Sequence, residues 1–236
     1  DVENFPGYPD GIDGPSMMVE LQKQAERFGT EVRLGYIKNV KFSQKKGAYH
    51  KVTPEDGEEI EAKTIIISTG ATAKYLGIPS EQRLIGGGVS ACAVCDGFFY
   101  KGQDVVVVGG GDTAAEEATY LAKICSKVTM VIRRDVMRAS KAMQYRVNNT
   151  PNINILYNSE VDEVLGEDVV EGLRVKNNKT GSKEEIKVLG LFIAIGHSPN
   201  TILFKDQLDM DKDGYLITKG KSTKTNIPGV FASGDV

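Results

Sequence analysis

The chain has 236 residues, of which 40% are hydrophobic and 26% are charged, and a formal net charge of -3 at pH 7. These values are ordinary for a globular protein of one or two domains. It has no long basic block to bind nucleic acid, and its apolar runs are far shorter than the roughly 20 residues that span a bilayer. The first residues lack the pattern of a secretory signal, so we expect a cytoplasmic protein.

The first predicted elements form a β-meander. Residues 37–53 and 58–68 have the pattern of paired strands, with a turn at 54–57. The meander ends in an apolar strand at 64–67, which Thr69 and Gly70 close.

A pair of cysteines follows, with two residues between them. Cys92 and Cys95 can close and reopen a disulfide, and such spacing lowers the pKa of one thiol, which favours redox catalysis. Asp96 comes next and indicates proton transfer coupled to electron transfer. The glycine run 86–88 before the pair predicts a mobile, accessible loop.

Two alternatives exist for these cysteines. A structural zinc ion needs about four Cys or His ligands, and the chain otherwise offers only Cys125, His50 and His197, so we expect no metal. The other alternative is a buried, inert pair. We expect Cys125, which lies within a predicted helix, to be structural.

A strand, a tight turn and a helix come next. The apolar strand 104–108 leads into Gly109–Ala114, which satisfies the GxGxxG/A pattern, and apolar residues at helical spacing predict a helix over 112–125. Such glycines permit a sharp turn and let the backbone approach a pyrophosphate at the helix N-terminus. The alternative is a tight turn without a ligand. We expect a dinucleotide to contact Gly109, Gly111, Asp112, Thr113 and Ala114.

The next strand, 127–132, should lie parallel to the first in a right-handed βαβ unit. Arg133 and Arg134 end it, with Arg138 close behind, where an NAD-specific site carries an acidic residue. Because guanidinium groups bind phosphate in a bidentate manner, this pattern predicts NADPH. The alternative is a solvated basic turn paired with Asp135.

The rest of the chain repeats the plan of its first part. A helix over 136–147 and a final strand at 229–235 are predicted. Between them we expect strands at 153–157, 161–165, 171–175, 185–189 and 191–195, with a hairpin turn at 177–181. The first copy begins without a βαβ unit and the last strand has no helix after it, so we expect a chain truncated at both ends.

NADPH delivers its two electrons as a hydride, which does not open a disulfide efficiently. The predicted chemistry therefore needs an electron carrier between NADPH and the cysteine pair. A flavin serves this purpose, and the domain whose pyrophosphate loop is missing is where FAD would bind. We therefore predict an α/β fold with two Rossmann-like dinucleotide-binding domains that carry β-meanders, the FAD domain being discontinuous and incomplete.

The chain resembles the bacterial, low-molecular-weight thioredoxin reductases over its whole length. Ile132 departs from the family, which commonly has a histidine before the arginine pair. The matching stretches are residues 3–7, 24–29, 68–71, 74–79, 86–96, 109–117, 133–135, 194–200 and 227–236.

This resemblance implies an NADPH-dependent thioredoxin-disulfide reductase that is a homodimer when full length. Electrons pass from NADPH to FAD, to the redox-active disulfide and on to thioredoxin. The implied FAD domain comprises residues 1–72 and 201–236, around an NADPH domain of 73–200. The NADPH domain rotates between two orientations, with hinges at 74–79 and 197–200.

Residue roles follow from motif position in the same family. Cys95 is similar to the thiol that meets the flavin, Cys92 to the thiol that attacks the thioredoxin disulfide, and Asp96 to the acid that supplies a proton. The residues that fall where the family contacts FAD are Asn4, Thr69, Gly70 and Asp235, the last through hydrogen bonds to the ribityl chain. The role of His197 stays open.

Two other functions remain open at this point. The reductase component of a peroxiredoxin system shares the module, although Ala93 and Val94 between the cysteines are closer to thioredoxin reductase. A chain without the FAD pyrophosphate loop could also be a non-catalytic NADPH-binding module.

Overall fold

The computed structural model describes residues 2–236. The chain divides into two compact units. Unit 1 comprises Asp1–Ile66, Leu203–Leu208 and Thr218–Phe231, and unit 2 comprises Ile67–Ile202, Asp209–Ile217 and Ala232–Val236.

The helices and strands are numbered in chain order. The helices are α1 (Gly14–Arg27), α2 (Pro79–Arg83), α3 (Ala93–Asp96), α4 (Asp112–Leu121) and α5 (Lys141–Asn148), with 3-10 turns at Gly97–Tyr100 and Ile202–Phe204. The strands are β1 (Ile37–Lys41), β2 (His50–Pro54), β3 (Ile60–Ala62), β4 (Ile65–Ile67), β5 (Ala71–Ala73), β6 (Val89–Ser90), β7 (Asp104–Val108), β8 (Lys127–Ile132), β9 (Ile153–Tyr157), β10 (Ser159–Leu165), β11 (Gly172–Asn177), β12 (Lys183–Ile186), β13 (Gly190–Ile193), β14 (His197–Pro199) and β15 (Val230–Ala232). Across residues 2–236, no helix has the length and hydrophobicity needed to cross a bilayer.

Unit 1 is built on the predicted meander. Strands β1, β2 and β3 pair antiparallel in that order, which confirms the prediction. Helix α1 was not predicted. Asp13 caps it by accepting the Ser16 N–H, and Pro15 lies in its first turn.

The apolar strands predicted at 64–67 and at 229–235 are also present, as β4 and β15. The Ile65 N–H donates to the Gly229 carbonyl, and the Ser233 N–H donates to the Ile67 carbonyl, each at 2.9 Å. Residue numbers therefore increase together along β4 and β15, so the two strands run parallel. This confirms the predicted strand near the end of the chain.

A five-stranded parallel sheet forms the centre of unit 2, in the order β6-β13-β7-β8-β9. Side chains of β7 alternate between two buried clusters. Val105 and Val107 pack with α4 and α5, whereas Val106 and Val108 pack on the side of the β10-β11-β12 meander. Both faces of the sheet are therefore covered, which explains the uninterrupted run of valines. The predicted βαβ unit and α/β fold are confirmed.

Two predicted helices have different bounds. The helix expected over 112–125 ends at Leu121, and turns follow it, with the Gly102 N–H bonded to the Ile124 carbonyl. The helix expected over 136–147 begins only at Lys141. The residues expected to form its first turn are instead bonded to the glycine loop, because the Arg138 and Ala139 N–H groups both donate to the Gly110 carbonyl.

Unit 2 also carries the second meander. Strands β10, β11 and β12 pair antiparallel, and the predicted hairpin turn joins β11 to β12. In that turn the Asn177 side chain accepts the N–H groups of Lys179 and Thr180, and Gly181 has a φ of +72°. The strand expected at 185–189 lies at 183–186, and the strand at 153–157 belongs to the parallel sheet as β9.

Candidate functional site

Three predicted motifs follow the carboxyl ends of strands that belong to the parallel sheet of unit 2. Cys92 comes two residues after β6, Gly109 directly after β7, and Arg133 directly after β8. Because these strands are parallel, all three motifs lie along one edge of the sheet. Open α/β sheets bind their ligands at this edge.

The glycine loop combines close packing with one open position. A Cβ on Gly109 would lie 2.3 Å from the Ala194 carbonyl oxygen, and a Cβ on Gly110 would lie 2.9 Å from Cγ2 of Ile132. A Cβ on Gly111 would meet no atom within 4 Å. Gly111 is also the N-cap of α4 and has no side chain to cap it. The first-turn N–H groups of this helix are thus left for an anion.

A cavity of about 820 Å³ opens beside this loop, within unit 2. Its volume lies within the range of small-molecule and cofactor sites. Among its lining residues are Lys74, Gly109, Gly110, Gly111, Thr113, Arg133, Arg134 and Arg138. The glycine loop, the helix terminus and the cationic wall suit a phosphorylated dinucleotide, and the residues present therefore fit NADPH.

The arginines are exposed and have no ion-pair partner among residues 2–236. Asp135, which was the alternative partner for this basic turn, instead lies 3.6 Å from Lys179. The guanidinium groups of Arg133, Arg134 and Arg138 are therefore available to an anionic ligand.

Two of the residues expected at the dinucleotide do not line the cavity. Ala114 is fully buried, and its Cβ would lie 2.8 Å from a Cβ on Gly109. The Asp112 carboxylate accepts the Ser140 N–H, which lowers its pKa. Ala114 thus permits close packing of helix and loop, and Asp112 fastens the segment that follows Arg138.

The cysteine pair forms a disulfide between Cys92 and Cys95, with their Cα atoms 5.3 Å apart. Cys92 is the N-cap of α3, and its Sγ accepts the Cys95 N–H at 3.2 Å. The Ser90 hydroxyl accepts the Cys92 N–H at 3.0 Å. Cys95 is exposed and Cys92 is half-buried, so the alternative of a buried, inert pair is wrong.

The glycine run 86–88, from which a mobile, accessible loop at the cysteine pair was predicted, is itself closely packed at two positions. A Cβ on Gly87 would lie 2.4 Å from the Asp168 carbonyl oxygen, and a Cβ on Gly88 would lie 2.7 Å from the Val170 side chain. Gly88 is buried. These glycines allow two backbone segments to approach closely, which a larger residue would prevent.

Asp96 lies at the end of α3 and is half-buried. Its N–H donates to the Cys92 carbonyl at 3.1 Å. Burial, and then the nearby Asp96, raise the pKa of Tyr100, whose ring packs edge-on against Phe192. Asp96 is thus placed beside the disulfide by the backbone.

The other candidate ligands for a metal are dispersed. Cys125 is buried, and desolvation raises the pKa of its thiol to about 11. His50 is buried in unit 1, where its Nδ1 accepts the Ser43 N–H, and His197 is exposed on β14. The part of the chain that the structure describes holds no group of three His, Cys, Asp or Glu side chains that could bind a metal ion.

The residues expected at FAD occupy different places. In unit 2, Thr69 and Asp235 follow the parallel strands β4 and β15 at their carboxyl ends, a placement that fits a dinucleotide. The Thr69 hydroxyl and the Gly70 carbonyl are both bonded to the backbone of Asn200. Asn4 is exposed in unit 1. Their contact with FAD stays a prediction.

Comparison with known proteins decides the family. Residues 4–236 match the family described as pyridine nucleotide-disulphide oxidoreductase. The thioredoxin reductase of Streptomyces coelicolor is 51% identical over 236 residues, which cover 100% of this chain and 72% of that protein. The chain belongs to the thioredoxin reductase family.

Other members agree in sequence and in structure. The thioredoxin reductase of Rickettsia felis is 48% identical, with 100% of this chain and 76% of that protein covered. The structure of thioredoxin reductase from Giardia duodenalis matches with a TM-score of 0.78 and 42% identity, covering 100% of this chain and 76% of that one. The Lactococcus lactis enzyme gives a TM-score of 0.73 and 38% identity, covering 99% and 76%.

The structure adds an apolar surface that the sequence analysis did not include. Val94, Phe98 and Phe99 are 71%, 70% and 78% exposed, and all lie within four residues of Cys95. The sequence signal for it was the pair of adjacent aromatic residues Phe98 and Phe99, which follow the CxxC motif after Asp96 and Gly97. Exposed apolar groups of this kind mark interaction surfaces.

Proposed function

We propose that the protein is an NADPH-dependent flavoprotein that reduces thioredoxin, with electrons passing from NADPH through FAD to the Cys92–Cys95 disulfide. One observation carries this proposal. A surface disulfide and an arginine-lined dinucleotide cavity lie along the same edge of one parallel sheet, in a chain about half identical to proteins named thioredoxin reductase. The names of these relatives do not favour a peroxiredoxin as acceptor.

The binding of NADPH is assigned to the glycine loop and the basic wall. The open position at Gly111 admits the pyrophosphate to the N-terminus of α4. Arg133, Arg134 and Arg138 bind the 2'-phosphate, because they are exposed and have no competing carboxylate among residues 2–236.

FAD would be held through Asn4, Thr69, Gly70 and Asp235. When bound, it supplies the carrier that accepts a hydride from NADPH and delivers an electron pair to a disulfide. Asp235 is exposed and follows β15 after Ser233 and Gly234, where its carboxylate can accept hydrogen bonds from ribityl hydroxyls.

The chemistry of the chain itself is thiol–disulfide exchange. Two electrons and two protons convert the Cys92–Cys95 disulfide to two thiols. Cys95 would be the thiol that meets a bound flavin, and Asp96 would supply a proton. The Cys92 thiolate then attacks the thioredoxin disulfide to give a mixed disulfide. Cys95 attacks Cys92 in turn, which restores the internal disulfide and releases thioredoxin with two thiols.

The partner surface follows from the same site. Val94, Phe98 and Phe99 expose apolar area within four residues of Cys95, and thioredoxin must reach Cys92 to react. We assign the contact with thioredoxin to this surface.

The domain organisation and assembly belong to the same proposal. Residues 73–200 form the NADPH domain, and residues 1–72 and 201–236 belong to the FAD domain. We infer that the protein is a homodimer and acts in the cytoplasm, where a CxxC motif in a chain with only three cysteines serves redox exchange.

The decisive experiment follows NADPH oxidation by the FAD-loaded protein, with thioredoxin and with a peroxiredoxin as acceptors. We expect turnover with thioredoxin, and its loss in Cys92→Ser while NADPH still bleaches the flavin absorbance. Cys125→Ser is the matched control and should keep turnover. Thioredoxin reduction by Cys92→Ser, or faster turnover with the peroxiredoxin, would contradict the proposal.

A further inference from the structure

Glu81 is a fully buried acid on the short helix α2. The residue is 0% exposed, and both of its carboxyl oxygens accept backbone hydrogen bonds. Oε1 accepts the Leu76 N–H and Oε2 accepts the Gly77 N–H, each at 2.8 Å. No ion pair joins Glu81 to a cation among residues 2–236. Because a buried carboxyl group is costly unless its oxygens are hydrogen-bonded, these two N–H groups explain how Glu81 is accommodated in the interior.

The two N–H groups belong to a segment, residues 74–78, that forms one wall of the cavity. Lys74, Tyr75, Leu76 and Ile78 line the cavity of about 820 Å³ beside the glycine loop. The segment is also fixed at its start, because the Lys74 N–H donates at 2.9 Å to the carbonyl of Gly196, which lines the same cavity. Hydrogen bonds therefore hold this wall at both of its ends.

Helix α2, which carries Glu81, is itself anchored to the second meander. The Ser80 hydroxyl accepts the Val164 N–H at 3.0 Å, and the Arg83 guanidinium donates to the Gly166 carbonyl at 2.8 Å. Leu84, directly after the helix, is 0% exposed and belongs to the same buried cluster as Val164. Glu81 thus connects a fixed helix to the wall of the cavity.

The 74–78 segment carries one cation that a phosphorylated ligand can use. Lys74 is exposed and has no ion-pair partner in the described part of the chain. Arg133 and Arg134 line the same cavity. The backbone of Lys74 lies two residues before the first N–H that Glu81 binds, so the position of this cation depends on the hydrogen bonds of Glu81.

We propose that Glu81 is a positioning residue for NADPH, which fixes the 74–78 segment and so presents Lys74 to the phosphate groups of the nucleotide. The lining of the cavity does not include Glu81, so the residue acts through the segment rather than by touching the ligand. A wall that is already ordered costs less conformational entropy when the ligand binds. This inference rests on the assignment of NADPH to the cavity in the proposed function.

The first test measures the affinity of the full chain for NADPH by isothermal titration calorimetry. Glu81→Gln keeps the volume of the side chain but replaces one acceptor oxygen with an NH₂ group that faces a backbone N–H. We expect the Kd to rise about 3- to 10-fold. Arg83→Ala is the matched control, because it removes a hydrogen bond of the same helix to Gly166, which does not line the cavity. Its Kd should stay within about twofold of that of the natural chain.

The second test observes the two hydrogen bonds directly. Amide exchange by NMR, without NADPH, should be at least about fivefold faster at Leu76 or Gly77 in Glu81→Gln, and unchanged in Arg83→Ala. Addition of NADPH to the natural chain should slow exchange at both positions at least about twofold, a measurement that needs no substitution and holds even where Glu81→Gln fails to fold. Unchanged exchange in Glu81→Gln, or in the natural chain on addition of NADPH, would overturn the positioning role.

A double-mutant cycle with Lys74→Ala distinguishes positioning from a general loss of structure. If Glu81 acts by presenting Lys74, Glu81→Gln should raise the Kd less than about twofold in the Lys74→Ala chain. The same 3- to 10-fold rise in both backgrounds would contradict the route through Lys74, because a general disturbance of the fold does not depend on that side chain.

The outcomes separate this inference from the proposed function. A natural chain that does not bind NADPH would disprove the assignment of NADPH to the cavity. A natural chain that binds NADPH, together with a Glu81→Gln chain of equal affinity, would disprove the role of Glu81 alone.

Discussion

The carboxylate of Asp112 accepts the backbone N–H of Ser140 at 2.9 Å and so ties the first residue of α4 to the N-cap of α5. The segment between the arginine pair and α5 is held at a second point, because the Arg138 and Ala139 N–H groups donate to the Gly110 carbonyl at 2.6 and 3.0 Å. The position of Arg138 is thereby coupled to the loop that receives the pyrophosphate.

Asp112→Ala should weaken the binding of NADPH. Without the carboxylate, the Ser140 N–H loses its partner and Arg138 is held less firmly, so we expect the Kd to rise about 3- to 10-fold. Isothermal titration calorimetry measures this change. Asp112→Asn keeps an acceptor and should bind within about twofold of the natural chain or more tightly. An equal loss in both variants would show that the charge of Asp112, rather than its hydrogen bond, matters.

Replacing both Arg133 and Arg134 with alanine should separate NADPH from NADH. Loss of charge-assisted bonds to the 2'-phosphate should raise the Kd for NADPH about 10- to 100-fold, whereas NADH, which lacks this phosphate, should change less than about threefold. Lys179→Ala is the control, because Lys179 is a nearby cation already paired with Asp135. Equal losses for the two nucleotides would contradict the assignment to the phosphate.

The central sheet could be predicted because its signals are local. A strand buried on both faces has a continuous apolar run, as in Val105–Val108, and the glycine loop directly follows it. Helix α1 was missed although its signals are local. Met17, Leu21 and Ala25 recur every four residues, and Asp13 and Pro15 mark the start of the helix.

The remaining errors come from contacts between distant residues. The start of α5 depends on the Gly110 carbonyl, about thirty residues earlier, and no local pattern records that bond. The glycine run 86–88 favoured a mobile loop at the cysteine pair, but Gly87 and Gly88 are closely packed, because a glycine also serves where two segments approach each other. The Oε2 atom of Glu117 is buried because other elements pack against α4, so its burial could not be derived from local spacing.

Alanine substitutions at two glycines of the same loop should affect different properties: the stability of the chain at Gly109 and the affinity for NADPH at Gly111. Gly109 has a φ of +146°, and its added Cβ would lie 2.3 Å from the Ala194 carbonyl oxygen, so Gly109→Ala should lower the free energy of unfolding by about 2 kcal/mol or more. Gly111 has a φ of -91° and open space around it. Gly111→Ala should change stability by less than about 0.5 kcal/mol and yet raise the Kd for NADPH about tenfold.

Urea denaturation and calorimetric titration of the two glycine variants check this pair of outcomes. A stable Gly109→Ala chain would mean that the loop tolerates a side chain at its tightest point. Unchanged NADPH affinity in Gly111→Ala would mean that the pyrophosphate does not approach the backbone there.

Glu117 should make the protein less stable as the pH rises. Its pKa is about 7 in the folded chain, against an ordinary value of 4.5, so the folded state binds more protons than the unfolded state between these values. The free energy of unfolding must therefore fall as pH rises across that window. After allowance for partial exposure, the fall should be about 1 to 2 kcal/mol.

Glu117→Gln has no proton to lose and should lack this fall. Urea denaturation at about pH 5 and pH 8 should show its stability relative to the natural chain increasing by about 1 to 2 kcal/mol between the two conditions. Glu116→Gln, at the exposed neighbouring position, should show no such increase. If Glu117→Gln and the natural chain lose stability in parallel as the pH rises, the carboxyl group is already charged at pH 5 and burial does not hold its proton.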